Sequence, residues 1–191
     1  MAIDINELLS KNAKSMKPSP IRALLNVLNQ PGMISFAGGF PNPLSFPIPE
    51  IKKIMNEVLD EQGAIALQYG GTDGNVALRE ELVKRYNKQG MNVTKENIII
   101  TTASQQAIDI TSKIFIDPGD TVITGLPSYL GALQAFTSYQ ANIIGCEKDE
   151  ELEVVTRALC ASCKKPKFVY AIPDFQNPSG VTMNHEQREY I

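Results

Sequence analysis

The chain has 191 residues, of which 43% are hydrophobic and 20% are charged, a composition typical of a globular protein with a core and not of a disordered one. Its formal net charge is −3, and no basic run could follow a phosphate backbone, so nucleic-acid binding by bulk electrostatics is disfavoured. No apolar stretch reaches the roughly 18 residues of a membrane-spanning helix, and the N-terminus lacks an apolar signal core. We therefore expect a soluble, cytoplasmic protein.

The first 47 residues differ in character from the rest of the chain. Six prolines fall between Pro18 and Pro47, together with paired glycines, which is typical of an irregular segment laid against a larger body. We predict an N-terminal arm over residues 1–47 and the N-terminal part of a larger domain over residues 48–191.

Two helices are predicted next along the chain. The first runs from about Pro49 to Gln62, and the second covers VALREELVKRYNKQG. In the second helix apolar side chains recur at helical spacing, and Gly90 is its stop signal.

From residue 97 onward the pattern predicts short strands that alternate with helices. The predicted strands are NIIITTA, TVITG, NIIGCE and KFVYAIP, and the predicted helices are SQQAIDITSKIF, YLGALQAFTSYQ, ELEVVTRALCASC and the opening of one more in NHEQREYI. Such alternation is typical of an α/β fold with a mostly parallel sheet flanked by helices. Ligands of these sheets bind outside the carboxyl ends of the strands, which selects the loops TTASQQ, TGLPSY and PDFQNPSG.

The three cysteines do not form a disulfide framework in a chain of this length. Cys160 and Cys163 make a C-x-x-C pair, but the pair falls at the end of a predicted helix and not after a strand, where redox pairs lie. A zinc site would need Cys146 and His185 as its other ligands. We expect reduced cysteines and no metal.

Each of the three loops has an ordinary structural interpretation and a functional one. Ser104 can cap the helix that opens in TTASQQ, and the helix N-terminus can also hold an anion; without a G-x-G-x-x-G pattern, one small phosphate fits better than a nucleotide. Tyr129 is either a core or rim tyrosine or a surface on which a flat ring stacks. Asn177 is either part of a turn or an amide donor to a ring oxygen. Together the loops describe a flat, phosphorylated, oxygen-bearing ring.

Six blocks in order resemble one protein family over residues 14–191. They are SPIRALL, ISFAGGFPNPLSFP, LQYGGTDGNVALREEL, TTASQQAIDI, PGDTVITGLPSYLGALQAF and FVYAIPDFQNPSGVTM. As a set they resemble the fold-type I, pyridoxal-phosphate-dependent aminotransferases of class I/II, and most of all the 2-aminoadipate/kynurenine branch. The resemblance implies an incomplete fold-type I large domain and pyridoxal 5'-phosphate as cofactor.

The resemblance also implies roles for individual residues. Ser104 and Gln105 resemble residues of the phosphate cup, and Tyr129 resembles the tyrosine that stacks on the pyridine ring. Asn177 resembles the asparagine that donates a hydrogen bond to the ring's phenolic oxygen. Tyr69 resembles the tyrosine that reaches the cofactor site of the neighbouring subunit, so a homodimer is expected.

Two further residues resemble substrate-binding positions, and the catalytic lysine is missing. Gly39 resembles a glycine that lines the substrate pocket, and Arg22 resembles a residue of a mobile arm near the substrate. None of the chain's lysines stands in the context that the family uses for its Schiff-base lysine. We expect that lysine downstream, the chain to be the front portion of a larger protein, and the fragment alone to be inactive.

The expected function is transfer of an amino group between an amino acid and a 2-oxo acid, with the donor amino acid left open. Alternatives are a non-catalytic fragment or interaction module, a lyase or decarboxylase that uses the same cofactor, and an aminotransferase-like regulator. The regulator is disfavoured because the sequence shows no basic helix-turn-helix before the SPIR block.

Overall fold

The computed structural model describes residues 3–16, 32, 41–147, 149–161 and 165–191. The chain divides into two compact units, one of Met1–Lys17 with Thr102–Ile191 and the other of Pro18–Thr101. Within the described ranges, no helix is both long enough and apolar enough to cross a membrane. The boundary predicted near residue 47 stays a prediction, because most of residues 17–40 lie outside the described part.

Eight α-helices and three strands make up the described part of the chain, with two 3₁₀ turns at Pro43–Ser45 and Lys95–Asn97. The helices are α1 (Ile5–Leu8), α2 (Lys11–Ser15), α3 (Ile48–Ala66), α4 (Val76–Lys88), α5 (Ala103–Phe115), α6 (Leu130–Ser138), α7 (Asp149–Ala161) and α8 (His185–Tyr190). The strands are β1 (Thr121–Gly125), β2 (Asn142–Cys146) and β3 (Phe168–Tyr170).

The three strands form one parallel sheet in the order β2-β1-β3. The central strand is buried on both faces: Val122, Ile123 and Thr124 expose none of their surface, as expected for a short β-branched run in a parallel sheet. Val122 packs in a cluster with Phe136 of α6, and Ile123 packs in a second cluster with Leu152 of α7. The predicted α/β fold with helices on a parallel sheet is therefore confirmed.

The predicted strand NIIITTA is wrong. Residues 95–97 form a 3₁₀ turn and residues 98–101 are not in a strand, although Ile98 has extended backbone angles of φ −123° and ψ 128°. Ile99 is 67% exposed. A β-branched run becomes a strand only where a neighbour accepts its backbone hydrogen bonds, and no strand of the described residues pairs with this segment.

In the unit of Pro18–Thr101, a buried arginine of α4 joins two neighbouring loops. Arg79 pairs with the carboxylate of Asp73 at 2.5 Å and donates to the carbonyl oxygen of Lys95 at 3.1 Å. Gly74 has a positive φ of 98°, and Ile100 fills the space where a side chain would start. These contacts close the turn-rich loop that precedes α4.

The predicted helices are present, with boundaries shifted by a few residues. α3 is longer than predicted, and α4, α5, α6 and α8 lie where their patterns placed them. Neither Cys146, which is buried, nor Cys160, which is exposed in α7, forms a disulfide, while Cys163 lies outside the described residues.

Candidate functional site

Ser104 and Gln105 lie in the first turn of α5, and both are exposed. The prediction that Ser104 caps this helix is wrong, because α5 begins at Ala103 and its N-cap residue is Thr102. The side-chain oxygen of Gln106 accepts the backbone N–H of Thr102 at 2.5 Å. The first turn therefore presents a hydroxyl and an amide beside the positive end of the helix dipole.

The backbone at the start of α5 is held in an unfavourable conformation. Ala103 has a φ of +57°, a left-handed value that is uncommon for a residue with a Cβ. Such outliers collect at ligand-binding loops, where the surrounding structure enforces them. This observation marks the turn before Ser104 as a candidate site independently of its residue types.

Tyr129 is the N-cap residue of α6 and is partly exposed. The loop leading to it is fixed at its start by a buried hydrogen bond of 3.0 Å between the hydroxyls of Thr124 and Ser128. The N–H of Leu126 also donates to the carbonyl oxygen of Cys146 at 2.7 Å. The tyrosine ring is therefore presented on a fixed loop at the carboxyl end of β1.

Gln105 and Tyr129 lie side by side, with Gly131 between them. The side-chain amide of Gln105 donates to the carbonyl oxygen of Gly131 at 3.0 Å. A Cβ at Gly131 would clash with the Gln105 amide oxygen and would lie 2.6 Å from the Tyr129 ring. The glycine thus lets the phosphate-cup candidate and the ring-stacking candidate approach each other.

The loop after β3 carries Asn177, which is exposed, and it contacts the Tyr129 loop. The side-chain N–H of Gln176 donates to the carbonyl oxygen of Pro127 at 2.6 Å. Burial raises the pKa of the Tyr170 hydroxyl, and the nearby Tyr129 hydroxyl adds to that rise. The peptide bonds before Pro127 and Pro178 are both cis. The structure therefore brings the Tyr129 and Asn177 loops to the same edge of the sheet.

Arg188 of α8 closes the base of the Asn177 loop. Its guanidinium donates to both carboxylate oxygens of Asp174, at 2.6 and 3.2 Å, and to the carbonyl oxygen of Met183 at 2.9 Å. Hydrogen bonding from Arg188 holds the pKa of the Asp174 carboxyl below its ordinary value.

A cavity of about 300 Å³ lies beside these loops. Its walls come from the ends of all three strands and from the Asn177 loop, and include Ser128, Tyr170, Gln176 and Ser179. None of Ser104, Tyr129 or Asn177 lines it, so the cavity neighbours the predicted ring site and is not that site.

The other three predicted site residues are not part of this group of loops as the structure describes it. Tyr69 lies in the unit of Pro18–Thr101 with 99% of its surface exposed. Gly39 and Arg22 lie outside the described residues. Sequence reasoning missed Gln176 and Gly131, although the glutamine immediately before Asn-Pro and the glycine within a helical pattern are visible signals.

The side chains gathered at this edge are suited to a small anionic aromatic ligand. They offer hydroxyl and amide donors and an aromatic ring, and where residues are described no three His, Cys, Asp or Glu side chains cluster as metal ligands would. The fold is that of an α/β protein, and the Tyr129 and Asn177 loops follow the carboxyl ends of β1 and β3, where sheets of this kind bind their ligands.

Comparison with known proteins gives the family. The model of the aminotransferase class I and II family matches residues 32–191, and the chain belongs to that family. Its parallel sheet flanked by helices is the fold of the solved fold-type I aminotransferases that it resembles.

Three relatives illustrate the match. The chain is 41% identical to aromatic-amino-acid aminotransferase 1 of Thermococcus litoralis, covering 99% of this chain and 47% of that protein. It is 38% identical to the 2-aminoadipate transaminase of Thermus thermophilus, covering 92% of this chain and 43% of that protein. The crystal structure of Pyrococcus horikoshii kynurenine aminotransferase superimposes with a TM-score of 0.89 at 41% identity, over 98% of this chain and 48% of that one. The chain thus spans about half the length of these relatives.

Proposed function

We propose that this chain supplies the cofactor-binding half of a pyridoxal-phosphate-dependent aminotransferase, which moves an amino group between an amino acid and a 2-oxo acid. The observation that carries the proposal is the convergence of three loops, through the Gln105–Gly131–Tyr129 contact and the Gln176–Pro127 hydrogen bond. The P. horikoshii relative was crystallised with PMP and kynurenine, which supports the same cofactor here.

The residues present fit pyridoxal phosphate. Because Gly131 has no Cβ, the Gln105 amide and the Tyr129 ring can lie close together. A hydrogen-bond donor for a phosphate therefore stands next to an aromatic face. Ser104 and Gln105 stand at the N-terminal end of a 13-residue helix, where a phosphate dianion is favoured by free N–H groups and by the helix dipole.

Each residue has a distinct task in this proposal. Ser104 and Gln105 bind the phosphate, Tyr129 stacks on the ring and excludes water from one face, and the Asn177 amide donates to the phenolic oxygen. When bound, the cofactor supplies a conjugated ring that withdraws electrons from the α-carbon of the amino acid. We assign no lysine of this chain as the residue that holds the cofactor covalently.

The substrate and the partner subunit are further parts of the proposal. We place Gly39 and Arg22 beside the substrate and Tyr69 at the cofactor site of a second copy in a homodimer. The nearly complete exposure of Tyr69 supports a contact outside its own subunit. We also propose residues 1–47 as an arm, residues 48–191 as part of the large domain, and the cytoplasm as the location.

A binding experiment tests the cofactor assignment. Pyridoxamine 5'-phosphate is the suitable probe, because it has no aldehyde and cannot react with surface lysines. Titration followed by calorimetry should give saturable 1:1 binding that weakens roughly ten-fold in Ser104→Ala and Tyr129→Ala, which each lose one hydrogen bond or one stacking contact. The control is Gln134→Ala on the exposed side of α6.

The outcome separates the proposal from its alternative. No binding by the wild type would favour an interaction module without a cofactor. Equal binding by the wild type and both site variants would refute the roles proposed for Ser104 and Tyr129. A polypeptide that also contains the downstream half of the fold should convert an amino donor and a 2-oxo acid in an amino-donor panel, whereas a lyase would release product without consuming the 2-oxo acid.

A further inference from the structure

The Gln176 side chain connects the two loops that carry Tyr129 and Asn177. Its Nε2 donates to the carbonyl oxygen of Pro127 at 2.6 Å, two residues before Tyr129. Its Oε1 accepts the backbone N–H of Ser179 at 2.9 Å and the Ser179 hydroxyl at 2.5 Å. Both ends of one amide are therefore used, one on each loop.

The two loops are anchored separately at their bases. The Tyr129 loop is held by the buried Thr124–Ser128 hydroxyl pair, and the Asn177 loop is held by Arg188 on Asp174. Neither anchor joins one loop to the other. The bond from Gln176 to the neighbouring loop acts at the tip, directly beside Asn177.

We propose that Gln176 is a positioning residue that sets where the Asn177 amide stands relative to the Tyr129 ring. The geometry requires a glutamine: the donor must face the Pro127 carbonyl while the acceptor faces Ser179. An ionised glutamate would turn a second acceptor toward that carbonyl, and asparagine is one methylene too short for both contacts. The identity of the ring between Tyr129 and Asn177 rests on the proposed function, whereas the connection of the loops does not.

The connection is tested without any ligand by backbone hydrogen exchange. The reporting amides are those of Ser179 and Gly180 in one loop and of Leu126 in the other, all of which donate hydrogen bonds. In Gln176→Glu the exchange of both loops should increase together, by roughly five-fold or more, as expected for loss of one hydrogen bond.

Two companion variants make the exchange result decisive. Gln176→Met removes both hydrogen-bonding groups at similar length without adding charge, and should give the same joint increase. Gln134→Glu adds the same charge at an exposed position of α6 and should leave both loops unchanged. Loosening of the Asn177 loop with no change at Leu126, in both Gln176 variants, would overturn the inference.

A spectroscopic measurement then separates positioning from mere stabilisation. Pyridoxamine 5'-phosphate bound to the chain is titrated with acid and base, and the ionisation of its phenolic oxygen is followed by absorbance. Because the Asn177 amide favours the ionised oxygen, both Gln176 variants should ionise the bound ring at higher pH than the wild type and bind it roughly ten-fold more weakly. Gln134→Glu should match the wild type.

The possible results point to different conclusions. A lower unfolding midpoint in the Gln176 variants with an unchanged phenol ionisation would mean a purely structural role and would overturn the inference. Failure of the wild type to bind the probe would refute the proposed function, while the exchange experiment would still decide whether Gln176 couples the loops.

Discussion

Phe136 packs α6, the helix that begins after Tyr129, against β3, the strand that precedes the Asn177 loop. Its removal should therefore strongly destabilise the unit that carries the site. The side chain is 2% exposed and makes edge-to-face contacts with Phe168 and Tyr170 of β3, each at 5.5 Å between ring centroids. Phe136→Ala should lower the free energy of unfolding by about 3–5 kcal/mol, from lost burial and the cavity left behind. Phe136→Leu keeps most of the volume and loses the two ring pairs, at about 0.5–1.5 kcal/mol each.

Urea unfolding followed by far-UV circular dichroism measures these changes. The denaturant midpoint should fall with an unchanged slope, since the surface exposed on unfolding stays the same. Phe115→Ala is the matched control, because it removes the same atoms from a side chain that is 55% exposed and should cost about 1 kcal/mol or less. Equal losses of unfolding free energy in Phe136→Ala and Phe115→Ala would refute the conclusion that Phe136 is a central residue of this core.

Two other predictions concern the edge of the sheet. Gly131→Ala should displace Gln105 and weaken binding of pyridoxamine 5'-phosphate roughly ten-fold by calorimetry, whereas Gly125→Ala, where no atom lies within 4 Å of the new methyl, should bind normally; similar weakening in both would argue against the close approach at Gly131. The Asp174 carboxyl has its pKa lowered by Arg188, so the pair stabilises the fold fully above the ordinary carboxyl pKa of about 4 and loses that effect as pH falls through the lowered value. Asp174→Asn should therefore lose less stability than the wild type in urea midpoints measured from pH 5 to pH 3, and parallel curves would contradict this.

The helices and the central strand could be predicted from local patterns because each buries its apolar side chains in a regular way. TVITG is uniformly apolar or β-branched and became the doubly buried β1. VALREELVKRYNK has helical spacing and became α4. Such periodicities are properties of the chain itself.

The failures occurred where a residue's state depends on a distant neighbour. NIIITTA has the composition of a strand, yet a strand needs a partner for its hydrogen bonds, and the described residues supply none. Serine is a common N-cap residue, but α5 begins at Ala103 with Thr102 as its N-cap, two residues before the position that a Ser104 cap requires. The backbone of Ala103 at that start is left-handed. Local propensity is a weak guide in both cases, because tertiary contacts override it.

The sequence by itself determined the α/β class, the loops that follow β1 and β3 and the family, because these follow from periodicity and from the order of short motifs. Only the tertiary structure decided how the loops meet: Gln105 beside Tyr129 across Gly131, and Gln176 bonded to Pro127, 49 residues earlier in the chain. A hydrogen bond depends on distance and direction between atoms, and for residues far apart in the chain these are set by the fold and not by spacing in the sequence.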